Sequence, residues 1–275
     1  MKLNVTVKGT GFPILCLHGH PGSGQTMSVF TDVLSQNYQT IAPDLRGYGN
    51  TGARGSFRIE DHLDDLEQLL DRYQIERCLL LGWSLGGILS LELALRNLDR
   101  FSGLIMIASA AYPKSSHPQA SVLDVVYTGV SGVINYFKPG WQWNINTLGK
   151  RSLFRYLLHQ QTTEAYSYLG TQGIPAFFKT SWVANQALSQ AIRKGYNRLS
   201  ELSQVKIPAL ILAGERDRHI TAQSSAETAR YLPDASFICY PNTAHLFPWE
   251  IPQTVTQDLS IWLQENHDLL VSSSI

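Results

Sequence analysis

Ser84 sits in the string Gly82-Trp83-Ser84-Leu85-Gly86, which follows an apolar run at 78–81 and opens a helical pattern. Glycines two before and two after a serine fit a strand-to-helix turn so sharp that neighbouring backbone passes where a side chain would stand. Such a turn holds the hydroxyl at the carboxyl end of a sheet and at a helix N-terminus. There the helix dipole and free N–H groups favour developing negative charge. A serine hydroxyl alone is a poor nucleophile and needs an adjacent base, usually a histidine held by a carboxylate. Two later segments can supply both. The run at 209–213 ends in Gly214-Glu215-Arg216-Asp217, and the run at 236–240 leads into Pro241-Asn242-Thr243-Ala244-His245. Both follow carboxyl ends of strand-like runs, the edge at which a parallel sheet presents its loops. Asp217 is the expected acid, with Glu215 as its competitor, and His245 is the expected base.

A tetrahedral oxyanion needs two preorganised N–H donors. Leu85, the residue after the serine, supplies one backbone N–H. The second is expected from His20, in the loop His18-Gly19-His20-Pro21-Gly22 that follows the run at 13–17. No third His or Asp follows that loop at ligand spacing, so no metal site is expected. Of the other histidines, His117, His159 and His267 fall in the middle segment or the tail. His62 is expected to face outward from a helix. His219 shares the loop of Asp217 and is expected not to reach Ser84.

These side chains meet only if strands carry them to one edge. Apolar runs at 3–7, 13–17, 39–42, 78–82, 104–108, 209–213 and 236–240 alternate with helical patterns. Ile59, Leu63, Leu66, Leu70 and Tyr73 recur at spacings of four and three, and 84–97 and 252–265 also read as helices. The fold class is therefore α/β, a mostly parallel central sheet with helices on both faces. Residues 111–204 break the rhythm with mixed helical stretches punctuated by Pro and Gly. The simplest architecture is a core made of 1–110 and 205–275 with a helical lid, 111–204, inserted between two strands. The lid span holds half of the aromatic residues, and nine Lys and Arg against three acids, so it carries +6 and the remainder −6. Trp83 beside the serine, with Trp141, Trp143 and Trp182 of the lid, are the candidate substrate-binding aromatics.

Composition narrows the classes further. The 275 residues are 44% hydrophobic and only 16% charged, with a formal net charge of zero, which argues against nucleic acid as a partner. The N-terminus alternates polar and apolar residues without a leader-like apolar stretch. No run approaches the about 20 apolar residues of a membrane span, so no membrane partner is expected. Cys16, Cys78 and Cys239 all fall in strand-like runs and read as reduced core cysteines, which points to the cytoplasm.

Together these strings closely resemble the α/β-hydrolase superfamily over the whole chain except the lid. The resemblance rests on Leu17-His18-Gly19-His20-Pro21-Gly22, Asp44-Leu45-Arg46-Gly47-Tyr48-Gly49, Gly82-Trp83-Ser84-Leu85-Gly86-Gly87, residues 214–217 and residues 242–248, in family order. It implies the α/β-hydrolase fold, a Ser-acid-His order, no cofactor, and a bracing role for Asp44 and Arg46. Ala244 departs from the glycine that usually precedes the histidine, and the first edge strand is missing. Haloalkane dehalogenases and soluble epoxide hydrolases share the His-Gly-x-Pro loop but use aspartate as nucleophile, so Ser84 argues against both. The elbow is similar to that of pimeloyl-carrier-protein methyl ester esterases, which dock an acidic carrier protein on a basic lid. That likeness implies a carboxylic ester or thioester substrate and an acidic acyl carrier protein as a partner. The His20 loop also resembles a menaquinone-pathway synthase that eliminates pyruvate. Cofactor-free haloperoxidases, proline iminopeptidases and weakly catalytic hydrolase-fold receptors are the remaining alternatives.

Overall fold

The apolar runs become seven strands: β1 (Val5–Lys8), β2 (Pro13–Leu17), β3 (Gln39–Pro43), β4 (Cys78–Trp83), β5 (Phe101–Ile107), β6 (Ala209–Gly214) and β7 (Ala235–Tyr240). The computed structural model describes residues 1–117 and 121–268. Residues 118–120 of the expected lid and 269–275 at the end of the expected core lie outside the described residues. The strands form one sheet in the order β1-β3-β2-β4-β5-β6-β7. β1 is antiparallel to β3, and every other neighbouring pair is parallel.

Three helices precede β5: α1 (Ser28–Leu34), α2 (Asp61–Arg72) and α3 (Leu85–Arg96). Between β5 and β6 lie α4 (Val122–Phe137), α5 (Gln142–Thr147), α6 (Thr163–Tyr168), α7 (Ile174–Phe178) and α8 (Trp182–Lys194). The chain closes with α9 (Ala222–Tyr231), α10 (Phe247–Glu250) and α11 (Pro252–Glu265). Among the described residues no helix is long and apolar enough to cross a membrane.

Strands β4, β5 and β6 are buried along their whole length because helices cover both faces of the sheet. The period-two alternation of a strand sorts their side chains into two cores. Leu80, Leu104 and Ile211 join the core that holds Leu66 of α2 and Leu89 of α3. Leu81, Ile105 and Leu212 join the other, with Phe30 of α1 and Leu259 of α11.

His62 and Cys239 depart from the sequence reading. His62 is buried, 1% exposed, against Tyr48 and Phe57 at ring distances of 6.1 and 5.2 Å. Its position beside the leucine stripe looked solvated, but the loop after β3 folds those two aromatics over it. Cys239 is exposed, whereas Cys16 and Cys78 are buried, and all three are free thiols. β7 is an edge strand, so one of its faces lacks a cover.

The chain runs from β3 to β4 across β2, which reverses the direction of strand addition. At such a reversal the loops leaving the two flanking strands diverge and open a crevice. Here the flanking strands are β2 and β4. Leu17 is paired with Gly82, Trp83 with Ile107, Ile107 with Leu212, and Gly214 with Tyr240. The strands therefore end nearly in step, and the loops after β2, β4, β6 and β7 emerge along one edge.

Candidate active site

Ser84 leaves β4 with φ 54° and ψ −116°, in the left-handed region, and caps α3. A non-glycine residue held there stores about 1–3 kcal/mol of strain, which the surrounding backbone must hold. The Ser84 N–H donates to the Ile107 carbonyl at 2.8 Å, tying the turn to β5. Gly86 permits the sharpness of the turn: a Cβ there would collide with the Leu17 carbonyl oxygen. Gly19 likewise lets the β2 loop come close, since its Cβ would stand 3.0 Å from Ser84 Cβ and 2.8 Å from the Trp83 ring.

His245 arrives from the loop after β7 and presents Nε2 to Ser84 Oγ at 3.0 Å. Its Nδ1 faces Asp217 Oδ2 at 2.8 Å. The other carboxylate oxygen of Asp217 accepts the His219 and Ile220 backbone N–H groups at 2.7 and 3.0 Å. A carboxylate only accepts, so the proton on the neutral imidazole resides on Nδ1 and the Nε2 lone pair faces the serine hydroxyl. All three groups are nearly buried. The structure thus brings Ser84, Asp217 and His245 together from loops 133 and 28 residues apart in sequence.

Glu215 does not compete for the imidazole. It is exposed and accepts the Asn242 backbone N–H at 3.0 Å. That bond, with Arg216 N–H to the Thr243 carbonyl at 2.8 Å, laces the β6 and β7 loops together. Glu250, buried in α10, accepts the Ala244, His159 and Gln160 N–H groups and so joins the His245 loop to the stretch before α6. Burial pushes its carboxyl pKa up, against the pull of those three donors.

Ser84 and His245 open into a cavity of about 630 Å³. Its floor is the sheet edge, with His20, Trp83 and Leu85; its roof is the chain between β5 and β6, with Phe154, Leu157, Leu169, Ile174 and Leu188. Leu85 is the first residue of α3, so by helix geometry its N–H has no intrahelical partner. His20 lines the same cavity, with its Nδ1 2.9 Å from the Tyr48 hydroxyl. Burial pushes the His20 pKa down to about 4, so the ring is neutral at pH 7. Trp83 stacks edge-on against Trp249 at 4.6 Å and stands 5.7 Å from the His245 ring.

Trp141, Trp143 and Trp182 require a correction. They are 41%, 51% and 73% exposed and none of them lines the cavity. A count of aromatics carries no direction, and α5 turns Asn144 and Ile145 inward while its tryptophans face solvent. The wall that the sequence reading missed includes Tyr168, stacked on Trp249 at 4.5 Å, and His219, whose ring lies 4.7 Å from that of His245. It also includes Asn185, Leu188, Ser189 and Ile192 of α8. Their spacing of three, four and seven marks one helix face and was readable in principle. His219 is held by His117, Nδ1 to Nε2, at 2.9 Å.

The whole arrangement, a parallel sheet with a serine, histidine and aspartate converging at its carboxyl edge under a helical roof, defines a class. The family model described as the alpha/beta hydrolase fold matches residues 13–252, and the chain belongs to that family. A pimeloyl-[acyl-carrier protein] methyl ester esterase of Vibrio atlanticus is 24% identical over 255 residues, 87% of this chain and 89% of that protein. Epoxide hydrolase 3 of Xenopus tropicalis is 26% identical over 282 residues, 92% of this chain and 71% of that protein. Among solved structures, an esterase from Thermogutta terrifontis superposes with a TM-score of 0.70 at 24% identity, covering 96% of this chain and 94% of that one.

Proposed function

We propose that the chain is a serine hydrolase that cleaves a carboxylic ester or thioester through an acyl-enzyme. The observation that carries this reading is the relay from Ser84 Oγ to His245 Nε2 at 3.0 Å and from His245 Nδ1 to Asp217 Oδ2 at 2.8 Å. His245 takes the Ser84 proton as the oxygen attacks the acyl carbon. Asp217 keeps the imidazole in the required tautomer and stabilises the cation that forms. The N–H groups of Leu85 and His20 receive the oxyanion. The protonated His245 then gives its proton to the departing alcohol or thiol, leaving the acyl group on Ser84. Water, deprotonated by His245, attacks the acyl carbon, and the acid leaves as Ser84 regains its proton.

The apolar roof favours an acyl or aryl part without charge. The relatives include an esterase and an epoxide hydrolase by name, and the serine at position 84 favours the ester. A fluorophosphonate probe tests the assignment. It is expected to add one phosphonyl group to Ser84, seen by intact mass, and Ser84→Ala is expected to lose labelling and at least about four orders of magnitude of p-nitrophenyl ester turnover while remaining folded. Comparable hydrolysis by the alanine variant would falsify the proposal.

A further inference from the structure

Helix α4 is built inside out. Its buried positions are Asp124, Ser131 and Asn135, spaced seven and four apart, so a polar stripe faces the body of the protein. Asp124 and Asn135 are anchored through their side chains and Ser131 through its main-chain carbonyl. Asp124 accepts the Ser121 N–H at 3.0 Å and pairs with Arg155 at 2.8 Å. Asn135 donates to the Gly170 carbonyl at 2.6 Å and accepts the Gly140 N–H at 3.0 Å. The Ser131 carbonyl accepts from Asn144 at 2.9 Å. The opposite stripe, Val122, Leu123, Val126, Val130, Val133 and Phe137, is apolar and between 46% and 80% exposed. A helix on a water-soluble surface shows the reverse pattern.

The apolar surface extends past the helix. Tyr136 meets the Phe178 ring at 5.6 Å, and Phe177 lies 5.8 Å from Phe178. Beyond the end of α4, Trp141 and Trp143 pair at 5.1 Å, and the Lys138 ammonium stands 4.7 Å over Trp141. Contiguous exposed apolar surface of this kind marks a contact face. Its charges sit at the rim and carry one sign: Lys138 follows Phe137, and Lys179 follows Phe178. Between 121 and 195 the exposed basic residues include Lys138, Arg151, Lys179 and Arg193, whereas Glu164 is the one exposed acid.

We propose that this face docks on the surface of an anionic phospholipid bilayer. The valine and phenylalanine stripe enters the boundary of the acyl chains. The indole rings lie at headgroup level, and Lys138 and Lys179 meet the headgroup phosphates. With 16 residues, α4 lies in the interface and does not span it. A second copy of the chain fits less well, because a symmetric contact would bring two basic rims together. An acidic protein would be drawn to the rim but finds an uncharged centre. Phe177 also lines the cavity, so docking places one wall of the cavity beside the membrane.

Vesicle co-sedimentation tests the docking, with soluble-ester hydrolysis read separately so that failure of one does not imply failure of the other. Vesicles of phosphatidylcholine mixed with phosphatidylglycerol are expected to bind the protein about tenfold or more tightly than phosphatidylcholine alone, and added salt is expected to weaken this. The double variant Val126→Glu/Val133→Glu is expected to lose vesicle binding about tenfold or more while keeping its thermal midpoint and its activity on a soluble short-chain ester. Lys138→Glu/Lys179→Glu is expected to erase the preference for the anionic lipid. The proposal is overturned if the wild-type chain does not bind vesicles or binds both kinds equally. It is likewise overturned if it forms a dimer in lipid-free buffer that Val126→Glu dissociates.

Discussion

Asp217 divides its work between two oxygens. Oδ1 is fixed by two backbone N–H groups of its own loop, so Oδ2 is aimed at His245 without freedom to turn away. Asp217→Asn leaves an amide oxygen for the loop donors and turns an NH₂ toward Nδ1. The imidazole proton then moves to Nε2, and the base that should receive the serine proton is lost. Turnover is expected to fall by about three to four orders of magnitude with little change in stability, measured by steady-state kinetics beside urea denaturation. Glu215→Gln is expected to retain turnover within about twofold, since that exposed side chain serves a loop N–H and a surface pair with Arg216 and does not touch the imidazole. If the glutamine variant were the crippled one, the acid would have been misassigned. The residues of this relay were legible because glycine spacing and strand ends constrain them together. The burial of His62 and the outward turn of Trp141, Trp143 and Trp182 were not, because each depends on which neighbour folds over it.

At the scale of elements, the turn between β4 and α3 and the middle of α4 make opposite demands on glycine. A Cβ at Gly86 meets the Leu17 carbonyl, which is backbone of the central sheet and cannot step aside. Gly86→Ala is expected to destabilise the fold by about 1–3 kcal/mol and to displace Ser84, so turnover falls with stability. Gly129 in α4 has open space where its Cβ would stand and is exposed. There alanine removes only the entropic penalty of a helical glycine, and a gain of about 1 kcal/mol is expected. Urea titrations of the two variants should move in opposite directions, and equal losses would contradict the packing described for one of them. Strands were readable from the chain because a sheet covered on both faces demands unbroken apolar runs. The face of α4 was not, since hydropathy alone places valines inward, and only the polar anchors Asp124, Ser131 and Asn135 reveal that the helix is reversed.

The molecule as a whole folds around neutral histidines, and that sets its response to acid. The His18 Nε2 accepts the Leu45 N–H at 3.1 Å, while Nδ1 stands 2.8 Å from the Gly19 carbonyl, so a second ring proton would be driven against an N–H donor. Burial pushes the His18 pKa down to about 4. His62, packed between Tyr48 and Phe57, is pushed down to about 3 by burial, which outweighs the pull of the Asp65 and Asp61 carboxylates. In the unfolded chain both titrate near their ordinary value of about 6.5, so between about 6.5 and 4 the unfolded state binds more protons than the folded one. Their contribution to stability is complete above that window and drains away as the pH falls, by about 1.4 kcal/mol per pH unit for each ring. His62→Phe keeps an aromatic ring between Tyr48 and Phe57 but cannot take up a proton. Its stability, followed by urea denaturation at pH 7.5, 6 and 5, is expected to fall less steeply than that of the wild-type chain, by about 1.4 kcal/mol per pH unit. An unchanged slope would mean that His62 takes up its proton as readily in the folded chain as in the unfolded one, and the aromatic enclosure described for it would then be wrong.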